Sequence, residues 1–305
     1  MKVLLATQKP FAPVAVKGIV KILKDAGYSA DILEGYAGAD ELKAALSDVQ
    51  ALIVRSDKVT EDVLACAPSL KVIVRAGAGY DNIDLQTASR RGIVVMNTPG
   101  QNSNAVAELA LGMMIYMARN GFTPSTGSEI SGKTLGIQAF GNVGRLVGAK
   151  ARALGMGVKA FDPWLPEGKI EEGGAGRVLS LEELYSTSDF VSIHIPATPQ
   201  TTGSIGASLV GMMPEGGVLV NTARKEVIDE DSLLELLRTR KDLKYATDCA
   251  PDRLEEFKAL GSRFFATPKK MGAQTAEANV NSGLAAAREI VEFFTNGDTR
   301  FQVNR

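Results

Sequence analysis

The sequence predicts an α/β chain made of two doubly wound parallel-sheet units, and three observations carry that prediction. Short β-branched runs alternate with longer segments of helical period. The alternation breaks once, at the polar Gly/Ser-rich stretch "GFTPSTGSEISGK", and then restarts. The chain has 305 residues, 45% of them hydrophobic, which suits about two domains with full cores.

In chain order, the first series sets "KVLLAT" before a helical segment at 12–26, "ADILEG" before 40–48, and "ALIVRS" before 60–66. "KVIVRAG" then precedes 83–91, and "GIVVMN" closes the series. Strand and helix in alternation imply parallel strands, because each crossover helix returns the chain to the same edge. A long helix follows from Asn104 to about Arg119, with Val106, Leu109, Leu111 and Met114 among its apolar positions. Its methionines read as core packing. The second series offers strands "TLGIQAF", "GVKAFD", "DFVSIHI", "GVLVNT", "KYATDC" and "RFFAT", with helices at 142–154 and 229–238. That strand count matches a Rossmann/flavodoxin-like sheet. The final helical pattern, 276–294, is long enough to return to the first unit.

Composition excludes several roles. Lys plus Arg total 34 against 35 for Asp plus Glu, a formal charge of −1 with no basic block, so nucleic acid and anionic membrane are not expected partners. "AVAELALGMMIYMA" is interrupted by Glu108 and falls short of the roughly 20 residues that span a bilayer. The two cysteines, Cys66 and Cys249, have no metal or redox spacing, so no metal is expected. With no signal-like segment before "KVLLAT", the expected compartment is the cytoplasm.

The most informative stretch is "TLGIQAFGNVGRLVGAKARALGMGVKAFDP". An apolar run leads into a turn at Gly141, Asn142, Val143 and Gly144 that opens a helix, and Asp162 ends the next strand 18 residues after Gly144. Glycine lets the backbone approach a pyrophosphate, and the helix N-terminus supplies unpaired N–H donors. Asp162 then accepts from ribose hydroxyls and repels a 2′-phosphate, which favours NAD. The usual first glycine of the motif is Ala139 here, harmless only if that residue keeps a negative φ.

Several segments together resemble the D-2-hydroxyacid dehydrogenase family over nearly the whole chain. They are "VRAGAGYDNID" (74–84), "VVMNTPGQNSNAVAELALGMM" (94–114), the glycine loop, "DFVSIHIPATPQTTGSIG" (189–206) and "VNTARKEVIDEDSLLELL" (220–237). "VRSDKVTEDVL" and "NTPGQN" are most similar to the branch that oxidises 3-phosphoglycerate, in a short form without a regulatory extension. The resemblance implies a substrate domain from both chain ends (1–97 plus 275–305) with an inserted NAD domain (98–274). It also implies a homodimer, an interdomain cleft, a phosphorylated 2-hydroxy acid as substrate and a place in serine synthesis. Other 2-hydroxy or 2-keto acids (glycerate, hydroxypyruvate, glyoxylate, D-lactate), or an inactive NAD(H)-binding regulatory protein, are the alternatives.

The site residues follow from the same resemblance. Arg224 in "NTARKE" matches the arginine that binds the substrate carboxylate, a role its planar fork suits. The backbone N–H groups of Gly77 and Ala78 match the loop that holds the same carboxylate. Arg55, Ser56 and Asn102 fall where phosphoglycerate enzymes meet substrate, with Arg75 and Lys58 as further candidates for its phosphate. His194, Ile195 and Pro196 would line the cofactor, with Thr201, Thr222, Ala223 and Asp248. Although His194 is the only histidine, the resemblance does not make it the acid/base.

That role falls to "TPKKMGAQT", where the family has P-H-x-G-A-x-T. Anchoring on "GAQT" puts Lys270 at the histidine position, whereas anchoring on "TP" would choose Lys269; the helix after the G-A-x-T turn favours the first. The family's partner glutamate is also missing, and Asp252 in "CAPDRLEE" stands nearest its place. With an ordinary pKa of about 10.4, a lysine is a ready proton donor for keto-acid reduction and a base only at raised pH. Burial and nearby Arg224 are expected to lower that value.

Overall fold

The computed structural model describes residues 1–304 and divides them into two compact units, Met1–Asn102 with the chain from Ala273 on, and Ser103–Gly272. The observed breaks fall five residues later and two residues earlier than the expected 97/98 and 274/275.

The first unit holds β1 (Lys2–Thr7), α1 (Pro13–Asp25), β2 (Ser29–Glu34), α2 (Ala39–Ala44), β3 (Ala51–Val54), α3 (Glu61–Ala65), β4 (Val72–Arg75), α4 (Leu85–Arg90) and β5 (Val94–Asn97). Its strands run parallel in the order β2-β1-β3-β4-β5, the flavodoxin-like arrangement. β3 is buried along its whole length, as is β4 up to Arg75, and such strands read as continuous apolar runs rather than alternations. Pro13 opens α1, where its missing N–H costs nothing.

In the second unit the order is α5 (Ser103–Ala118), β6 (Thr134–Gln138), α6 (Asn142–Ala153), β7 (Gly157–Phe161), α7 (Lys169–Glu172), β8 (Gly176–Arg177) and α8 (Leu181–Ser186). It continues with β9 (Phe190–Ile193), α9 (Ala207–Val210), β10 (Val218–Asn221), α10 (Glu230–Thr239), β11 (Lys244–Thr247), α11 (Leu254–Lys258) and β12 (Phe264–Ala266). The seven parallel strands lie β12-β11-β10-β9-β6-β7-β8. Sequence order therefore reverses between β6 and β9, and in such sheets ligands bind outside the strand ends at that reversal. β8 is absent from the strands the sequence predicts, because two residues are too short to show a period. Met113, Met114 and Met117 of α5 are buried in this unit's core, as their pattern implied.

The last helix, α12 (Ala276–Asn296), belongs to the first unit and packs on α1. Two glycines allow the close approach. A Cβ at Gly18 would stand 2.4 Å from Leu284, and one at Gly283 would stand 2.8 Å from Ile19. Thr275 caps the helix by accepting from the Ala278 N–H, which fixes where the helix starts. Among the described residues, no helix is long and apolar enough to cross a membrane.

Candidate active site

The first unit contains a small pocket open to solvent. Arg55, Ser56, Arg75, Gly77 and Asn102, all expected from the sequence, line it. Arg55 follows β3 and Arg75 ends β4, so neighbouring parallel strands deliver both cations to the carboxyl end of the sheet. The Arg55 guanidinium donates to the carbonyls of Lys9 (3.0 Å) and Pro10 (3.3 Å) and to Asn279 Oδ1, and lies 4.9 Å from the centre of the Phe11 ring. Its pKa is lowered by desolvation, opposed by Asp57 and Glu34. The Arg75 side chain reaches back through Nε to the Arg55 carbonyl at 2.9 Å. Gly77 is dictated by that path: its φ is +144°, and a Cβ there would stand 1.5 Å from Arg75 Nη1.

Two expected residues lie apart from this pocket's lining. Ala78 is exposed, and its carbonyl accepts from Asn97 Nδ2 at 2.6 Å. Lys58 is likewise exposed and outside the lining. Conversely, Gln274, just before α12, and Ala278, Asn279 and Ser282, in its first two turns, line the pocket without having been expected. Ala278 and Ser282 lie four residues apart, so one face of the helix start carries small or polar side chains. That spacing is the signal that could have found them.

The second unit carries the glycine loop at the sheet reversal. Gly141 is the N-cap of α6, and no side chain caps it, so the first-turn N–H groups stay open to an anion. Asn142, Val143 and Gly144 form that first turn. A Cβ at Gly144 would stand 2.3 Å from the Ala139 carbonyl, whereas one at Gly141 would meet nothing within 4 Å. The loop is therefore tight on its protein side and open on the other, which fits a pyrophosphate. Ala139 has φ +72°, so the negative φ that would make it harmless is not what the turn adopts. Asp162 stands beside the loop, accepting from the Phe140 N–H at 2.9 Å and the Trp164 N–H at 3.0 Å.

His194 follows β9 with Ser192 Oγ 2.9 Å from Nε2 and Thr222 Oγ1 3.4 Å from Nδ1. Desolvation pushes its pKa down to about 3, so the imidazole is neutral near pH 7 and poorly suited to donating a proton. Ile195 and Pro196 continue the segment, and Thr201 secures it by donating to the Pro196 carbonyl at 2.6 Å.

Past β10, three donors converge on the Ala223 carbonyl: Arg224 Nη1 at 3.1 Å, Lys270 Nζ at 2.8 Å and the Cys249 thiol at 3.6 Å. Burial raises the Cys249 pKa, while Lys270 and Arg224 act to lower it. Lys270 itself is an exposed residue, as is Lys269. Asp248 is 1% exposed, and its carboxylate faces the loop that bears Lys270. Asp252 is paired with Lys225.

A doubly wound sheet with a glycine loop and an acid at its reversal defines an α/β protein equipped for a dinucleotide, and the other unit carries a pocket lined by two arginines. The chain belongs to the D-isomer specific 2-hydroxyacid dehydrogenase family, whose catalytic-domain model matches residues 12–304. It is 36% identical to a D-3-phosphoglycerate dehydrogenase of Methanocaldococcus jannaschii over 288 residues, covering 89% of this chain and 54% of that protein. A hydroxypyruvate reductase of Thermotoga maritima is 37% identical over 270 residues, covering 82% of this chain and 87% of that one. The crystal structure of an NAD+-bound 3-phosphoglycerate dehydrogenase from Entamoeba histolytica superposes with a TM-score of 0.90 at 46% identity, covering 100% of this chain and 99% of that one. The chain thus spans about half the length of the archaeal relative and nearly all of the Entamoeba one.

Proposed function

We propose that the protein is an NAD-dependent dehydrogenase that interconverts 3-phosphoglycerate and 3-phosphohydroxypyruvate. The observation that carries the choice of substrate is the pocket of the first unit, where Arg55 and Arg75 bring two guanidinium groups beside the Gly77 backbone. A phosphate bears close to two negative charges and accepts several hydrogen bonds, so paired arginines suit it better than a neutral lining. The names of the Methanocaldococcus and Entamoeba relatives support the same reading.

Each unit supplies part of the chemistry. NAD, when bound, supplies the acceptor for the hydride that leaves C2 of the hydroxy acid. The first turn of α6 and the Asp162 carboxylate hold its pyrophosphate and ribose, with the neutral His194 imidazole, Ile195, Pro196, Thr201 and Thr222 beside it. Arg224 binds the substrate carboxylate and polarises the carbonyl oxygen. Lys270 takes the hydroxyl proton during oxidation and returns it to the same oxygen during reduction. A lysine needs no partner to fix a tautomer, which is why the loss of histidine and glutamate together is chemically coherent. Because the acid/base is a lysine, oxidation should rise with pH beyond neutrality. The protein acts in the cytoplasm as a homodimer, at the step that opens serine synthesis.

The Thermotoga relative's name favours a second reading, in which the substrate is an unphosphorylated keto acid such as hydroxypyruvate. The purified protein with NADH and a panel of 2-keto acids, followed at 340 nm, separates the two. Preference for 3-phosphohydroxypyruvate over hydroxypyruvate in kcat/KM supports the proposal. Equal or reversed preference favours the second reading, and NADH binding without turnover of any keto acid contradicts both.

A further inference from the structure

β10 and β11 are neighbours in the sheet, and a buried polar side chain at the end of the first and another just past the second turn to the local backbone. Asp248 follows β11. Its Oδ1 accepts from the Thr267 hydroxyl and from the Met271 N–H, both at 2.9 Å, and its Oδ2 accepts from the Gly272 N–H at 2.7 Å. One carboxylate therefore fastens both ends of the segment Pro268-Lys269-Lys270. Gly272 is part of the arrangement, since a Cβ there would stand 2.9 Å from Asp248 Oδ2.

Asn221, at the end of β10, fixes the facing turn. Its Oδ1 accepts from the Ala223 N–H and its Nδ2 donates to the Arg224 carbonyl, both at 2.9 Å. The Ala223 carbonyl is thereby set where Lys270 Nζ meets it at 2.8 Å. Lys270 is thus held at its base by Asp248 and at its head by a carbonyl that Asn221 positions.

A histidine has two side-chain torsions, but a lysine has four and about 2 kcal/mol of rotamer entropy to lose. Its ammonium reaches one reacting oxygen reproducibly only if the backbone beneath it is fixed. We propose that Thr267 and Asp248 are positioning residues for Lys270, together taking over the orienting task that a carboxylate partner performs for a catalytic histidine. The proposal rests on Lys270 being the proton-transfer group.

Thr267→Val, nearly isosteric, removes the hydroxyl that donates to Asp248. It is assayed beside Lys270→Met with NADH and the keto acid turned over best. The expected result is a fall in kcat of about 10- to 100-fold, since a misplacement near 1 Å costs that much. KM and the NADH Kd stay within about twofold, as expected when only the proton-transfer step suffers. The solvent deuterium isotope effect on kcat grows as proton transfer becomes rate-limiting, and Thr267→Ser restores both kcat and isotope effect. A general loosening of the fold would lower the melting temperature without enlarging that isotope effect. If Thr267→Val fails to fold, Gly272→Ala crowds the same carboxylate from the other end of the loop and carries the same expectation.

Wild-type kcat and isotope effect in Thr267→Val, with Lys270→Met inactive, overturns the positioning role while leaving Lys270 in place. An active Lys270→Met overturns the underlying assignment and this proposal with it.

Discussion

Arg55 in the first unit and Lys270 in the second are both cations proposed to meet the substrate, yet they are fixed to different degrees at the head group. Arg55 is held by its own head group, through the carbonyls of Lys9 and Pro10, the Asn279 side chain and the face of Phe11. A planar guanidinium with five donors can keep several protein partners and still present others to a ligand. Lys270 has a compact ammonium on a flexible stem; its Nζ donates to the Ala223 carbonyl, and the backbone that carries it is fixed as well. Both residues have an anchored backbone, so the difference lies in the head group: the fork is gripped at several points, whereas the point charge depends more on its loop.

The sharpest way to break this comparison is to put a point charge where the fork stands. Arg55→Lys retains the charge but cannot reach both the Lys9 and Pro10 carbonyls and a ligand. We expect kcat/KM for 3-phosphohydroxypyruvate to fall about 10- to 100-fold, matching the loss of one charge-assisted hydrogen bond of roughly 1.5–3 kcal/mol. Reduction of unphosphorylated hydroxypyruvate should change by less than about threefold, which steady-state kinetics on the two substrates will read directly.

A second test contrasts the exposed lysine with the enclosed histidine. The folded-state pKa of His194, about 3, lies below its ordinary value of 6.5. Between those values the unfolded chain takes up a proton that the folded chain refuses, so stability falls as pH drops below about 6.5. His194→Gln, which cannot titrate, should lose less stability than the parent between pH 7 and pH 5. Parallel melting curves at the two pH values check this, and identical losses would remove the neutral-histidine assignment.

The smallest effect concerns backbone alone. Ala139 occupies φ +72°, a region that costs an L-residue about 1–2 kcal/mol. Glycine carries an entropic cost of about 0.5–1 kcal/mol in return, so Ala139→Gly should stabilise the protein by up to about 1 kcal/mol. Urea denaturation measures it, with NADH affinity unchanged or improved.

Much of the fold was legible because buried parallel strands are continuous apolar runs, as "ALIV" and "VLVN" illustrate. Gly141, Gly144 and Asp162 were legible because their chemistry depends on spacing along the chain. Asn279 was not, for it reaches Arg55 across 224 residues of sequence and looks like an ordinary helical residue. The bonds of Asp248 were hidden for a different reason: two of its three partners are backbone N–H groups, which carry no sequence signature. Ala139 stands out in the sequence as a departure from the glycine pattern, but its positive φ belongs to the turn and has no signature there.

Lys270 is proposed to transfer the proton in a site where the family's histidine and its partner glutamate are both absent. The most direct test of that role is the rate of NADH oxidation by 3-phosphohydroxypyruvate in Lys270→Met and Lys269→Ala, with NADH affinity measured in parallel by fluorescence. Lys270→Met is expected to bind NADH normally and to lose turnover by at least about 100-fold, in the range of general acid catalysis, while Lys269→Ala keeps most activity. Normal turnover in Lys270→Met, or loss confined to Lys269→Ala, would contradict that role.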